Sequence, residues 1–172
     1  MNQVPKLLID RIDTPIGEMV IVADHDGNMR ALDWTEYETR MRHFLRLHYG
    51  ANGFTLEPTR DLNALKSAIR SYFAGELRSI DLLPVQTAGT AFQCKVWKAL
   101  RKIDCGTTIS YAALAQRIGH PNAVRAVGVA NGSNPIGVVV PCHRVIGSNG
   151  SLTGYGGGIE RKRWLLQHEG VL

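Results

Sequence analysis

The sequence predicts an α+β fold in two parts: an N-terminal portion built on a short antiparallel sheet, and a helical C-terminal portion. Three observations carry that expectation. Apolar alternation broken by turn signals runs through residues 7–34. Capped stretches with helical apolar spacing dominate beyond residue 90. The charge balance changes between the two parts: residues 1–90 hold 10 Lys/Arg against 12 Asp/Glu, and residues 91–172 hold 10 against 3. A cation excess confined to one part points to a polyanionic partner, nucleic acid first, although a merely basic surface fits the same numbers.

With 172 residues and 44% apolar content, the chain can build an ordinary core. No segment approaches the ~20 apolar residues of a membrane span. No apolar signal core follows Met1 to Lys6, so no membrane association and a cytoplasmic location are expected. Cys94, Cys105 and Cys142 are odd in number with no close pair. A disulfide scaffold and a bound metal are therefore not expected.

Leu7 to Asp13 alternates as a strand, Thr14 to Gly17 is a turn, and Glu18 to Ala23 is a second strand. Asp26-Gly27 marks a tight turn into a short strand ending at Trp34. Met41, Phe44, Leu45 and His48 recur at helical spacing within Tyr37 to Tyr49. Asp61 to Phe73 reads as a second helix with an acidic cap at its start and Gly75 beyond its end. Glu76 to Gly89, holding Pro84, is irregular. The expected division is 1–78, a connector at 79–90, and 91–172.

In the second part Thr90 caps a helix over Ala91 to Ile103, with Phe92, Val96, Ala99, Leu100 and Ile103 on one face. Ser110 caps a helix to Ile118, Gly119-His120-Pro121 breaks it, and Asn122 caps another over Ala123 to Ala130. Two short helices around such a turn fit a helix-turn-helix, whose second helix meets DNA, and fit an ordinary helical hairpin too. The second helix carries Arg125 as its only charge among alanines and valines, side chains small enough for close approach to a nucleic-acid groove. Asn131 to Pro135, Ser148 to Ser151 and Gly154 to Gly158 read as loops, and 9 of the 18 glycines fall between Gly128 and Gly158. Ile159 to Glu169 is a final helix.

Among these loops lies Val140-Pro141-Cys142-His143-Arg144-Val145, preceded by the apolar run Ile136 to Val140. A thiolate is the reactive form of cysteine, and neighbouring cations such as His143 and Arg144 favour it. The hexamer alone fits a buried structural cysteine equally well. In extended chain, adjacent side chains point apart, so Cys142 and His143 need not touch, and a water bridge between them is physically reasonable.

Pro141-Cys142-His143-Arg144-Val145, the Tyr111 helix, the Arg125 helix, Asn134-Pro135 and the Gly154-Tyr155-Gly156-Gly157-Gly158 run together resemble the O6-alkylguanine-DNA alkyltransferases, in their stand-alone bacterial form. The resemblance implies a ribonuclease H-like N-terminal subdomain and a C-terminal helix-turn-helix with an active-site loop. It implies double-stranded DNA carrying O6-alkylguanine, and O4-alkylthymine, as substrate. The duplex would be entered from the minor groove and the nucleotide flipped out. By the same resemblance Cys142 accepts the alkyl group in a single irreversible turnover without a cofactor. His143 is the base acting through a water, Glu169 orients His143, and Asn134 braces the turn carrying Cys142. Arg125 fills the vacated stack. Tyr111 pushes the nucleotide out and donates to guanine N3, and Ala123 and Ala130 lie on the DNA-facing helix. The carbonyls of Cys142 and Val145 accept from the guanine amine, while Tyr155, Gly156 and Lys162 line the pocket. A monomer in solution is implied, with cooperative binding along DNA left open.

The chain departs from relatives in places. Residues 1–90 hold no cysteine for the zinc site of some animal relatives, Gly156 lies where relatives carry serine or alanine, and Gly132 lies where some relatives place an arginine. Two other classes stay open: a DNA-lesion-binding protein without transfer activity, which retention of Cys142 disfavours, and a cysteine hydrolase, for which no oxyanion-hole pattern is evident.

Overall fold

The computed structural model describes residues 4–50 and 53–172, so Met1 to Gln3, the start of the stretch scanned for a leader, lie outside the described residues. Two compact units form, one ending at Gly89 and one spanning Thr90–Leu172.

In the first unit β1 (Lys6–Thr14) and β2 (Gly17–Ala23) make a hairpin, with Leu8 opposite Ala23 and Thr14 opposite Gly17. The Thr14 hydroxyl closes the turn by donating to the Gly17 carbonyl at 2.6 Å. β3 (Met29–Trp34) continues the antiparallel order beside β2. A fourth strand, β4 (Thr55–Pro58), was not legible in the sequence; it runs parallel to β1, so the sheet is mixed, in the order β3-β2-β1-β4. Helix α1 (Glu38–Tyr49) lays Met41 and Leu45 on Leu7, Ile9, Val20, Val22 and Ala31. Each large aliphatic side chain so buried contributes about 1.5–3 kcal/mol.

Helix α2 (Asn63–Phe73) starts later than expected, and Leu62 at its N-cap makes no side-chain cap. Asp61 is not the acid that serves this end. Asp10 of β1 does so, accepting from Leu62 N at 3.4 Å while pairing with Lys66 at 2.9 Å. Residues 79–86 are also more than a connector. Ile80 is buried, Met29 N donates to Pro84 O at 2.8 Å, and Gln86 N donates to Met29 O at 3.0 Å, which ties the segment along β3.

The second unit is mostly helical. α3 (Ala91–Leu100) opens on Thr90, whose side chain and that of Gln93 cap each other's backbone N–H, and it ends at Leu100 rather than Ile103. α4 (Tyr111–Arg117) opens on Ser110, whose hydroxyl accepts from Ala113 N at 3.0 Å. α5 (Val124–Gly132) has Ala123, not Asn122, at its N-cap and no side-chain cap; it continues through Asn131 and Gly132, which the sequence placed in a loop. Its buried side packs on both α3 and α4, and the Trp97 indole donates to Ala130 O at 2.9 Å. α6 (Ile159–His168) closes the unit. The short β5 (Ile109–Ser110) pairs in parallel with β6 (Val145–Ile146). That pairing ties the residues just before Tyr111 to those just after Arg144. Among the described residues no helix is long and apolar enough to cross a membrane.

Candidate active site and nucleic-acid interface

The segment leading to Cys142 is a tight turn held from three sides. Ile136, Val138, Val139 and Val140 are all buried, and Val140 N closes on Ile136 O at 3.0 Å. Asn134 braces it: its Oδ1 accepts from Ile136 N at 3.0 Å, and its Nδ2 donates to Ile136 O at 3.2 Å and Val140 O at 2.8 Å. Arg101, at the C-cap of α3, which the sequence did not single out, donates to Val139 O at 3.1 Å. Val138 sits at φ 67°, a left-handed conformation that β-branched residues rarely adopt.

Cys142 to Arg144 is one 3₁₀ turn, not the extended chain expected, because Arg144 N closes on Pro141 O at 3.0 Å. Cys142, His143 and Arg144 are all buried. Asn131, at the end of α5, donates from Nδ2 to Cys142 O at 3.4 Å, and its Oδ1 is buried with no partner. Its contact with the cysteine turn had no sequence signal, since Asn-Gly there reads as turn chemistry.

Behind Cys142 lies a buried charged cluster. His143 Nε2 is 2.9 Å from Glu169 Oε2. Arg144 donates through Nε to Glu169 Oε1 and through Nη2 to Oε2, both at 2.9 Å, and through Nη1 to Ile103 O at 2.7 Å. The Arg144 guanidinium therefore braces the carboxylate, a use the sequence reading did not give it. Burial opposes the charge on Glu169, but hydrogen bonds and charge from His143 and Arg144 outweigh it and hold the carboxyl well below its usual range. Burial, helped by the nearby charges of Arg144 and Lys162, pushes the His143 pKa down against the pull of Glu169. An ionised Glu169 requires Nε2 of neutral His143 to carry the proton. The other nitrogen, Nδ1, is then a free lone pair, buried with no partner.

Lys162 and Val145, which the sequence placed in the pocket wall, are fully buried. Lys162 Nζ gathers three carbonyls, Val145 O at 2.7 Å, Thr153 O at 2.8 Å and Gly154 O at 3.3 Å, and so clips the 153–154 loop to β6. Burial lowers its pKa to about 8, opposed by the charge of Cys142. The half-buried Tyr111 reaches the same loop, its hydroxyl 3.5 Å from Thr153 O. Tyr155 is half-buried and Gly156 exposed. Of the two carbonyls assigned to the guanine amine, Cys142 O accepts from Asn131 and Val145 N, and Val145 O accepts from Lys162.

Arg125 stands exposed on α5, and no partner holds it among the described residues. With Ala123, Ala126, Val129 and Ala130 it lines an open groove of about 640 Å³ against Phe92 and Gln93 of α3.

Comparison with known proteins decides the lineage. Residues 91–171 match the 6-O-methylguanine DNA methyltransferase DNA-binding domain, and residues 8–87 match the ribonuclease-like domain of the same proteins. The chain belongs to the O6-methylguanine-DNA methyltransferase family. A Shigella flexneri methylated-DNA–protein-cysteine methyltransferase is 50% identical over 167 residues, covering 97% of this chain and 98% of that one. The Mycobacterium bovis protein of the same name is 47% identical over 164 residues, 92% and 89% of the two chains. The crystal structure of Mycobacterium tuberculosis OGT in complex with DNA superposes with a TM-score of 0.75 at 41% identity, covering 95% and 92%. In this methyltransferase the DNA-binding match holds the Cys142 turn, its buried cluster and the Arg125 helix together.

Proposed function

We propose that this protein repairs DNA by direct reversal, taking the alkyl group from guanine O6 onto its own Cys142. The observation that carries the residue assignment is the state of the His143 ring. One nitrogen is committed to a buried carboxylate, and the other is a bare lone pair one residue from a buried cysteine. That lone pair accepts the Cys142 proton, directly or through one water, and Glu169 stabilises the resulting imidazolium. The thiolate attacks the alkyl carbon, the S–C bond forms as the C–O bond breaks, and the electron pair leaves on guanine. A hydroxyl donor, Tyr111, supplies a proton where that charge develops. The thioether product is a poor leaving group, so each molecule acts once.

The substrate is double-stranded DNA carrying O6-alkylguanine, with O4-alkylthymine as the second lesion. Inside the stack the O6 carbon is out of reach of an in-line thiolate, so the nucleotide is flipped. The exposed Arg125 on a face of small residues suits insertion from the minor groove into the vacated space. The protein acts as a monomer in the cytoplasm.

Incubation with duplex bearing O6-methylguanine followed by intact-mass and peptide analysis tests this. One methyl group on Cys142 per molecule, absent in Cys142→Ser, is the expected result. Binding without added mass returns the chain to a lesion-binding role; methyl recovered in solution with repeated turnover makes it a hydrolase. Arg125→Ala is expected to slow transfer from duplex far more than from free O6-alkylguanine base. Equal slowing on both removes the flipping role.

A further inference from the structure

Away from the Arg125 groove the second unit carries another concave surface, about 330 Å³, lined by Lys95, Lys98 and Ala99 of α3, by Lys102 in the turn just beyond it, and by Arg117 and Ile118 at the end of α4. Four cations border it, and among the described residues none has a carboxylate partner. Of the three acids of this unit, Glu169 is buried under Arg144 and His143, Glu160 pairs with Arg163, and the exposed Asp104 makes no ion pair with any of the four. Like charges spaced i, i+3 on one helix, as Lys95 and Lys98 are, repel at about 0.2–0.5 kcal/mol per pair, and Lys102 adds a third cation just past the helix end. The fold leaves that repulsion unrelieved.

The placement excludes this surface from the Arg125 face. At 3.6 residues per turn, Lys95 and Lys98 lie about 60° apart on the far side of α3 from Trp97, and Lys102 follows in the turn past the helix end, its N–H on Ala99 O at 3.1 Å. Trp97 is the residue that bonds α5. α5 packs on α4 and on the Trp97 side of α3, and its exposed Arg125, Ala126 and Val129 border the other groove, with Phe92 and Gln93 at the start of α3. The lysine row covers seven residue steps, about 10 Å, and meets roughly three phosphates at about 3.4 Å of rise per phosphate along one strand. Ala99 leaves the floor low between the lysines, and Arg117 faces them across it.

We propose that the α3–α4 groove holds the phosphate backbone of a second DNA segment while α5 holds the first, so that the protein passes between duplexes without being released. The proposal rests on α5 being the DNA-reading helix, and the test separates the two. Dissociation of a labelled undamaged duplex from the full-length protein is followed against rising concentrations of unlabelled duplex. Wild type is expected to dissociate faster in proportion to competitor, and Lys95→Gln/Lys98→Gln/Lys102→Gln at a rate independent of competitor. The triple variant is expected to keep wild-type alkyl transfer from free O6-alkylguanine base, which reports an intact fold. Arg125→Ala is expected to weaken the first duplex yet retain the competitor dependence. A triple variant with wild-type competitor dependence, or a wild type without any, overturns the second segment. A triple variant that fails on the free base is replaced by the single Lys98→Gln, for which partial loss of the dependence supports the proposal and none overturns it.

Discussion

Arg144 grips both carboxylate oxygens of Glu169, with Nε and Nη2 each 2.9 Å from one oxygen. Glu169 occupies the C-cap of α6, where the helix dipole disfavours an anion. Removing one member of a buried pair leaves the other uncompensated, at about 3–5 kcal/mol. Arg144→Met is therefore expected to lower the unfolding free energy by that amount in urea titrations at pH 7. The double variant Arg144→Met/Glu169→Leu is expected to recover part of it. A loss under about 1 kcal/mol in the single variant shows that solvent, not Arg144, balances the carboxylate.

Acid strikes this cluster twice. Burial holds His143 below its ordinary 6.5, so as pH falls through 6.5 the unfolded chain takes up a proton that the folded chain refuses. Glu169 is held below its ordinary 4.5 by His143 and Arg144 against the effect of burial, so a second loss follows below 4.5. Both losses have the same sign: stability present at pH 7 drains as pH falls. Unfolding titrations from pH 7.5 to 4 read it, with His143→Phe expected to shrink the upper step to the part that the half-buried His48, also lowered by burial, contributes, and to keep the lower. A wild-type profile flat from pH 7 to 5 counts against the buried neutral imidazole.

The sequence showed those parts of this site whose cause is local. Thr90 and Ser110 cap helices because a side-chain oxygen reaches the backbone N–H three residues on, within a few residues of chain. Asn122 has the same chemistry and caps nothing, since the helix starts one residue later on Ala123. β4 exists through its pairing with β1, and its own four residues show no alternation to read. Asn131-Gly132 carries turn chemistry, yet packing holds it in α5, where Asn131 meets the cysteine turn. The Arg144 fork and the three carbonyls on Lys162 join residues far apart in sequence, and composition near either residue does not name their partners. The family resemblance supplied Glu169 and Asn134, whose own surroundings in the sequence are those of a helix end and a pre-proline turn.

Strain in the turn before Cys142 is measurable by comparing two valines. Val138 and Val140 are both 1% exposed, but only Val138 has a positive φ, at 67°. Glycine at either position loses the buried side chain, while at Val138 it also relieves the left-handed conformation, about 1–2 kcal/mol. Val138→Gly is thus expected to be destabilising, but less so than Val140→Gly by about that difference in denaturant midpoints. Equal losses mean the surrounding turn stores no strain at Val138.

Gly156, assigned above to the pocket wall by the family resemblance, brings no side chain to it. It is exposed, beside the half-buried Tyr155, and lacks the positive φ that would resist a Cβ. A methyl group added to a binding pocket is worth about 1–3 kcal/mol of discrimination. Gly156→Ala is expected to slow transfer of a benzyl group at least tenfold while leaving methyl transfer within about twofold. Rates on duplexes carrying each lesion decide it, and equal slowing of both places Gly156 outside the alkyl-binding wall.

Lys162 makes an alkaline counterpart to the acid losses. Its folded pKa is lowered to about 8 by burial, against the opposing charge of Cys142, from an ordinary 10.5. Between those two values the unfolded chain keeps a proton that the folded chain sheds, so raising the pH there adds stability. Below pH 8 both states hold the proton and the ammonium's burial penalty stands in full. The unfolding free energy of wild type is therefore expected to rise from pH 8 to 10 relative to that of Lys162→Met, and the two curves to run parallel from pH 6.5 to 7.5. Parallel curves throughout mean that the ammonium keeps an ordinary affinity for its proton despite its burial, and that the carbonyls of Val145, Thr153 and Gly154 replace its hydration completely.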